Sequence, residues 1–147
     1  MIEITRKLDP HGDAAKDPSS GMLRLSFEQR QKSRQRVTLT SGEEMLLTLP
    51  RGEVLRGGDR LLASDGRTIE VAAETERVLH VECAGAAALA RAAYHLGNRH
   101  VRVEIGEGYL RLAPDHVLAA MLVRLGASVN ELGAPFEPEG GAYAHEH

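Results

Sequence analysis

The strongest constraint on the fold of this chain is a change in hydrophobic period near Ala73–Glu76. Before this point apolar residues recur at every second position between glycine-containing turns, which is typical of short, half-buried β-strands. After it, two segments carry apolar residues at the three- and four-residue spacing of amphipathic helices. We therefore predict two domains, residues 1–74 and 75–134, followed by a flexible tail at residues 135–147.

The first half is predicted to be an all-β domain. The segment Ser64–Gly66 joins two strands as a hairpin, because glycine tolerates positive φ. Residues Asp9–Gly21, with two prolines and two glycines, are predicted to form a long flexible loop. The predicted strands are Met22–Phe27, Arg36–Leu39, Glu44–Leu49, Arg60–Ala63 and Thr68–Ala72.

The second half alternates strands and helices. Its predicted elements, in order, are a strand at Val78–Cys83, a helix at Gly85–Leu96 ended by Gly97, strands at Val101–Ile105 and Tyr109–Leu112, a helix opened by Pro114 and ended by Gly126, and a strand at Ser128–Leu132. The order β-α-β-β-α-β is that of a ferredoxin-like domain, an antiparallel sheet with two helices on one face. The predicted fold class is therefore α+β.

Composition excludes several classes of function. The formal net charge is −3 with neutral histidines, so bulk electrostatics favour neither nucleic acid nor an anionic membrane. The single cysteine, Cys83, cannot form an internal disulfide, and no signal peptide opens the chain, so we expect a cytoplasmic protein. The longest apolar stretch, around Ala84–Ala90, is too short to span a bilayer. With no tryptophan, two phenylalanines and three tyrosines, the core must be aliphatic, and dimerisation would help to stabilise it.

Histidine supplies the candidate metal ligands. Imidazole binds borderline divalent ions such as nickel, copper, zinc and cobalt, and clustered cysteines are absent from the sequence. His100 follows the first predicted helix, and His116 lies in the first turn of the second, where the helix dipole favours a neutral imidazole. His145 and His147 form a His-x-His pair at the end of the chain. Spacing alone leaves each of these open between a metal ligand and an ordinary surface side chain. His11 and His80 are interpreted as structural or exposed, and His95, near the C-terminus of the first helix of this half, as a residue that favours the helix dipole when protonated.

Two further patterns have ordinary interpretations. Basic residues alternate with polar ones over Arg30–Arg36, but no aromatic residues are interleaved and the chain is net acidic. We interpret this run as a solvated edge strand rather than a nucleic-acid site. Cys83 ends a strand beside an alanine-rich helix and is interpreted as a core residue rather than a nucleophile. The common hydrolase, phosphate-loop and zinc-protease motifs are absent, so we do not expect an enzyme.

Several segments carry motifs that occur together in one known family. The most specific is Tyr-His-Leu-Gly-Asn-Arg-His-Val at Tyr94–Val101. The others are Arg30–Arg34, Leu55–Asp59, Asp115–Leu118 with Met121–Leu122, and Pro135–Tyr143. On these motifs, which cover most of the chain from about Arg24 onward, the chain resembles the urease accessory protein UreE family.

The resemblance implies a two-domain nickel chaperone for urease. The N-terminal domain would look like a peptide-binding module of heat-shock co-chaperones, and the C-terminal domain would form a homodimer. His100 would face its copy across the twofold axis and bind Ni²⁺, with Zn²⁺ or Cu²⁺ as competitors. His116 would belong to a secondary surface site, as in some members. The implied partners are the urease apoprotein and the other urease accessory proteins, including the GTPase UreG.

This sequence departs from the family pattern in two places. Ala113 and Pro114 stand where some relatives carry further histidines, which weakens the case for a strong site at His116. The tail offers only His145 and His147, which argues against storage of many ions. Two other functions stay open from the sequence. One is a general zinc- or copper-binding buffer, and the other is a peptide-binding scaffold in which metal is incidental.

Overall fold

The computed structural model describes residues 1–12 and 18–140. It divides into two compact units, with the boundary between Glu74 and Thr75. The elements are β1 (Glu3–Lys7), β2 (Gly21–Leu25), α1 (Phe27–Arg30), β3 (Arg34–Thr38), β4 (Glu44–Thr48), β5 (Arg60–Ala63), β6 (Thr68–Ala73), β7 (Thr75–Glu82), α2 (Ala86–Asn98), β8 (Glu104–Ile105), β9 (Tyr109–Leu112), α3 (His116–Arg124) and β10 (Ser128–Pro135). The predicted α+β class is confirmed.

The first unit is a six-stranded sheet in the order β2-β6-β5-β1-β4-β3. Strand β1 runs parallel to β4 and β2 parallel to β6, while the other pairs are antiparallel. The Thr40 N–H donates to the Met22 carbonyl, so the two outermost strands approach each other at one end. Alternate side chains bury an aliphatic core that includes Ile4, Leu47 and Leu61. The predicted β-rich character of this half is confirmed.

Strand β1 takes a central position that its own sequence pattern does not predict. Of its five residues, only Ile4 is buried. The strand is held by pairing with β4 on one side and β5 on the other, for example Ile4 opposite Leu47 and Ala63. Its place therefore depends on partners far along the chain, which no local periodicity can indicate.

The short helix α1 corrects two predictions. Phe27 begins this helix instead of ending a strand, because Ser26 and Gln29 form a capping box that satisfies the first helical N–H groups. Arg30 is not part of a solvated basic run: it is fully buried, and its guanidinium donates to the carbonyls of Leu25 and Leu55. The prediction of an edge position does hold for β3, which is one of the two outermost strands of this sheet.

The second unit is a four-stranded sheet in the order β10-β7-β9-β8 with α2 and α3 packed against one face. This is the ferredoxin-like arrangement that the order of elements predicts. Alternate residues of β7 and β9 point to the helices and form the core with them. The fully or nearly fully buried members are Leu79, Val81, Ala92, Leu96, Leu110, Leu112 and Leu122.

Two helix boundaries differ from the predictions. Helix α2 continues through Gly97 and ends at Asn98. Helix α3 begins at His116 and not at Pro114, because the carboxylate of Asp115 caps it by accepting from the N–H groups of Val117 and Leu118. In the described residues, no helix is long and apolar enough to cross a membrane.

The predicted start of the flexible tail at residue 135 is wrong. Strand β10 continues to Pro135, opposite Thr75. Beyond it, Phe136 is 5% exposed and Pro138 is buried. Burial of these apolar side chains explains why the segment packs, although it has no hydrophobic period. Residues 141–147, which include His145 and His147, lie outside the described residues.

Candidate metal centre

The end of α2 determines how His100 is presented. The N–H of His100 donates to the carbonyl of Gly97, and the N–H of Val101 donates to the carbonyl of Leu96. These two bonds form a Schellman motif, which requires a left-handed backbone at the residue after the cap. That residue is His100, with φ 58°, in a conformation that glycine usually supplies. His100 is therefore exposed, and its left-handed backbone conformation is the one that ends α2.

His100 lies at a groove of about 560 Å³ on the second unit. Most of its lining is apolar or glycine, from the end of α2 and from the stretch leading into β8. Arg102 and Glu139 add one charge of each sign. The lining residues are Ala93, Gly97, His100, Val101, Arg102, Val103, Ile105, Glu139 and Gly140. Ile105 is 55% exposed, which leaves a large aliphatic side chain in contact with solvent.

A single copy of the chain does not assemble a metal site from its described residues. Among residues 1–12 and 18–140, no three His, Cys, Asp or Glu side chains are grouped closely enough to hold one ion. A transition metal normally takes at least four ligands, so the imidazole of His100 would need ligands from elsewhere to hold one. The described part of one chain does not by itself provide a complete set of metal ligands.

The segment after β10 returns to the groove of His100. The N–H of Glu137 donates to the Oε1 of Glu104 at 2.8 Å, and the N–H of Glu139 donates to the carbonyl of Val103 at 2.8 Å. Gly140 then lines the groove. Since His145 and His147 follow Gly140 by five and seven positions in the sequence, the chain length between them, at most about 3.5 Å per residue, is sufficient to reach the groove.

His116 lies at a different groove of the second unit. It is exposed at the first position of α3. The groove, about 430 Å³, is also lined by Asp115 and Glu131. The Oδ1 of Asp115 already accepts two backbone N–H groups of α3, so this carboxylate is committed to capping the helix. His116 is therefore placed on the surface with few convergent partners among the described residues.

His80 has both ring nitrogens engaged. Its Nδ1 accepts from the Nε of Arg111 at 3.1 Å, and its Nε2 lies 3.2 Å from the Oε1 of Glu82. The ring also packs on Tyr109, with 4.8 Å between centroids. A histidine held in this way has a structural role, in agreement with the sequence interpretation. Of the other two, His11 is exposed, and His95 is half-buried and edge-on to Tyr94.

In the first unit, charged side chains pair with one another at the hairpin between β5 and β6. Arg67 donates to both Glu43 and Asp65. The hydrogen bond from Arg67 holds the pKa of Glu43 below its usual value, and the backbone and side-chain bonds from Arg67 do the same for the pKa of Asp65. The two carboxylates in turn raise the pKa of Arg67. These interactions stabilise the turn between β5 and β6.

Sequence reasoning did not find the residues that accompany His100 at its groove. Arg102 and Glu139 were assigned no role, and Glu139 fell in the predicted tail. One signal was present: Phe136 stands between two prolines in a polar stretch. An isolated large apolar residue in such a stretch indicates local packing, and here it accompanies the return of the chain to the groove.

Models of two family domains match this chain. One, described as the UreE urease accessory protein N-terminal domain, matches residues 4–74, and the other, its C-terminal domain, matches residues 76–147. The boundary between the matches coincides with the boundary between the two compact units.

Among curated proteins, the chain is similar to several named urease accessory protein UreE. It is 53% identical to the one of Cupriavidus pinatubonensis over all of this chain and 67% of the relative. It is 49% identical to that of Pseudomonas fluorescens, over all of this chain and 86% of the relative. For that of Paraburkholderia xenovorans the identity is 55%, over 85% of this chain and only 56% of the relative. Some relatives are therefore considerably longer than the part that this chain matches.

Proposed function

Since this chain belongs to the UreE urease accessory protein family, we propose that it is a nickel chaperone that binds Ni²⁺ between two copies of itself and delivers the ion to urease. Nickel is the cargo in this proposal and not a resident cofactor. The observation that carries it is the placement of His100, an exposed imidazole on a left-handed helix cap beside an apolar groove.

The incomplete ligand set supports a shared site. One described chain supplies a single imidazole at the groove of His100. In an isologous twofold interface the same residue meets its own copy, so His100 would contribute two imidazoles to one site per dimer. Exposed Ile105 and the valines of the groove would be covered by the second copy, which removes apolar surface from water.

The tail supplies candidates for the remaining ligands. Glu139 and Gly140 lie at the groove, and His145 and His147 follow within reach. A site with two imidazoles from the interface and others from a terminal segment can be opened by withdrawing that segment. Such a site exchanges its ion faster than a closed four-ligand site, which suits a protein that must release its cargo.

His116 would bind ions more weakly in this scheme. Its neighbour Asp115 is committed to the helix cap, and position 114 is a proline. A lone surface imidazole with few convergent ligands binds divalent ions weakly. We therefore assign His116 to a secondary role, with an occupancy that depends on nickel in excess.

Replacement of His100 by glycine and by alanine tests the proposal. Both variants remove two imidazoles from each dimer, so the tight nickel site should be lost, with affinity falling at least about a hundredfold. Glycine at a left-handed position avoids the strain of a side chain, so His100→Gly should melt at or above the temperature of the wild type. His116→Ala is the matched control, because it removes an exposed imidazole near a helix end. Calorimetric titration at neutral pH, with the mass followed by light scattering, measures both effects.

The outcomes separate cleanly. Loss of tight binding in His100→Gly with an intact dimer and His116→Ala unaffected supports the shared site. Retention of one tight nickel ion per dimer in His100→Gly contradicts it. A wild-type protein that stays monomeric at tens of micromolar also contradicts it, because that is the range in which even weak association is populated. On the basis of its family we also propose delivery to urease apoprotein and cooperation with the GTPase UreG, and a cytoplasmic location stays a prediction.

A further inference from the structure

Glu139 brings a carboxylate to the groove of His100. Among the described residues that line this groove, it is the only acidic one. Glu139 is exposed, and within the described part of the chain its side chain makes no ion pair or hydrogen bond. The other charged residue of the lining, Arg102, would repel a cation. Besides the imidazole of His100, the carboxylate of Glu139 is therefore the group that this groove offers to a metal ion.

The backbone of Glu139 is fixed although its side chain is free. Its N–H donates to the carbonyl of Val103 at 2.8 Å, in the stretch that leads into β8. Pro138, the residue before it, is buried, and Phe136 is 5% exposed. A ligand carried on an ordered backbone loses only the freedom of its own side chain when it binds an ion, so the entropy cost of ligation is small.

One copy of the chain supplies too few donors for an ion, but two copies supply enough. The groove holds one imidazole and one carboxylate from each chain. A twofold interface at this groove doubles both, which gives two imidazoles and two carboxylates, the four ligands that a transition metal normally needs. Carboxylate oxygen is a harder donor than imidazole nitrogen and suits nickel less well. A mixed set of this kind favours release of the ion.

We propose that Glu139 is a nickel ligand, so that His100 and Glu139 of both copies hold one shared ion. This inference rests on the proposed function. The other role open to Glu139 is to offset the charge of Arg102 without touching the ion. The two roles respond differently to salt, because a direct metal–ligand bond is not screened, whereas an attraction between exposed charges is.

Nickel titration of two variants tests whether Glu139 contributes to the tight site. Glu139→Gln and Glu139→Ala each remove two carboxylates from the dimer, and nickel affinity should fall by at least about tenfold. The control is Glu107→Gln, which makes the same charge change at an exposed residue of the same unit outside the groove, and its affinity should stay close to that of the wild type. Melting temperature and dimer mass should be unchanged in all three, because both side chains are exposed and the bond to Val103 is made by the backbone.

A change of salt concentration separates ligation from charge offset. The Debye length falls from about 10 Å at 0.1 M salt to about 3 Å at 1 M. We compare the dissociation constants of Glu139→Gln and Glu107→Gln at both concentrations, since these variants have the same net charge. Their ratio should stay at about ten or above if Glu139 binds the ion. A ratio that falls toward one at 1 M salt shows that Glu139 acts only through its charge.

A double variant tests whether Glu139 and His100 bind the same ion. In His100→Gly the tight site should already be lost, so adding Glu139→Gln should cause no further loss of affinity. A further loss in the double variant would place Glu139 at a different ion and overturn the inference.

Failure of the inference and failure of the proposed function give different results. If Glu139→Gln and Glu139→Ala bind nickel as tightly as the wild type while His100→Gly does not, Glu139 is not a ligand and the shared histidine site stands. If His100→Gly keeps one tight ion per dimer, the proposed function fails, and with it the assignment of Glu139 to a site shared with His100.

Discussion

The two units of this chain place their polar side chains in contrasting ways. In the first unit, Arg67 pairs with Glu43 and Asp65, and buried Arg30 donates to backbone carbonyls. In the second, six of the seven histidines of the sequence follow Glu74, and His100 and His116 are exposed. The first unit thus uses charge to hold turns and loops, whereas the second leaves imidazoles available to a ligand. In the proposed function, ligand chemistry therefore belongs to the second unit, whereas each unit has its own buried core.

The largest test of this division compares one core leucine from each unit. Leu47 and Leu122 are fully buried, and replacing either with alanine should lower the free energy of unfolding by about 3 kcal/mol. Leu47→Ala should leave nickel affinity unchanged, whereas Leu122→Ala should weaken it, since α3 and α2 share the core that supports His100. Denaturant unfolding and calorimetry measure the two effects. Equal losses of nickel affinity in Leu47→Ala and Leu122→Ala would contradict the expectation that nickel binding depends on the second unit and not on the first.

Two truncations of the second unit distinguish a contribution to nickel binding from a contribution to stability. Deleting residues 141–147 removes His145 and His147 and should weaken nickel binding by about tenfold, close to 1.4 kcal/mol, with no change in melting temperature. Deleting residues 136–147 also removes buried Phe136, so this longer deletion should lower the melting temperature. Unchanged affinity after the shorter deletion would show that the tail histidines do not ligate. A lower melting temperature would show that residues 141–147 belong to the fold.

Removal of a helix cap should lower the free energy of unfolding by a similar amount in both units, and by less than the leucine substitutions do. Asp115 caps α3 and Ser26 caps α1, each through its side chain. Replacing either with alanine should cost about 1 kcal/mol, and Asp115→Asn should cost less because the amide oxygen still accepts from the helix. Thermal unfolding checks this. If Asp115→Ala also changed tight nickel binding, His116 and its cap would have to be part of the main site.

The smallest expected effect is on the pH dependence of stability, and it concerns the first unit. Arg67 lowers the pKa of Glu43 and of Asp65 from ordinary values of 4.5 and 3.8. Their contribution to stability is therefore present above those ordinary values and is lost as the pH falls through the lower values of the folded state. Arg67→Gln should lower the melting temperature slightly at pH 7, by less than Asp115→Ala, and this difference should shrink below pH 3.8.

Nickel affinity should respond in a different pH range. An imidazole must be neutral to ligate, and histidine titrates near pH 6.5, so binding by the second unit should weaken before the first unit loses its carboxylate contribution. Titrations between pH 8 and pH 5 check this order. Affinity that stays constant through that range would contradict ligation by histidine.

Local patterns predicted most of the elements because the forces that form them are local. Strand Arg60–Ala63 and strand Tyr109–Leu112 have the predicted bounds, since alternation and flanking turns define them. Two of the errors occur where a side chain makes a specific hydrogen bond that a hydrophobic pattern does not contain. The capping box of Ser26 and Gln29 begins a helix where the end of a strand was predicted, and the cap formed by Asp115 makes α3 begin at His116 and not at Pro114.

What the sequence by itself determined is the α+β class and a division into two units at the observed boundary. Periodicity suffices for these, because burial alternates with a fixed step in strands and helices. Residue type gives the candidate ligands His100, His116, His145 and His147, and their part in metal binding stays a prediction. The tertiary structure alone decided that β1 is central, that Arg30 is buried, and that residues 136–140 return to the groove of His100. Each of these depends on partners distant in sequence, such as Leu55 for Arg30 and Glu104 for Glu137. Contacts of that kind are set by the packing of the whole unit, and no local pattern contains them.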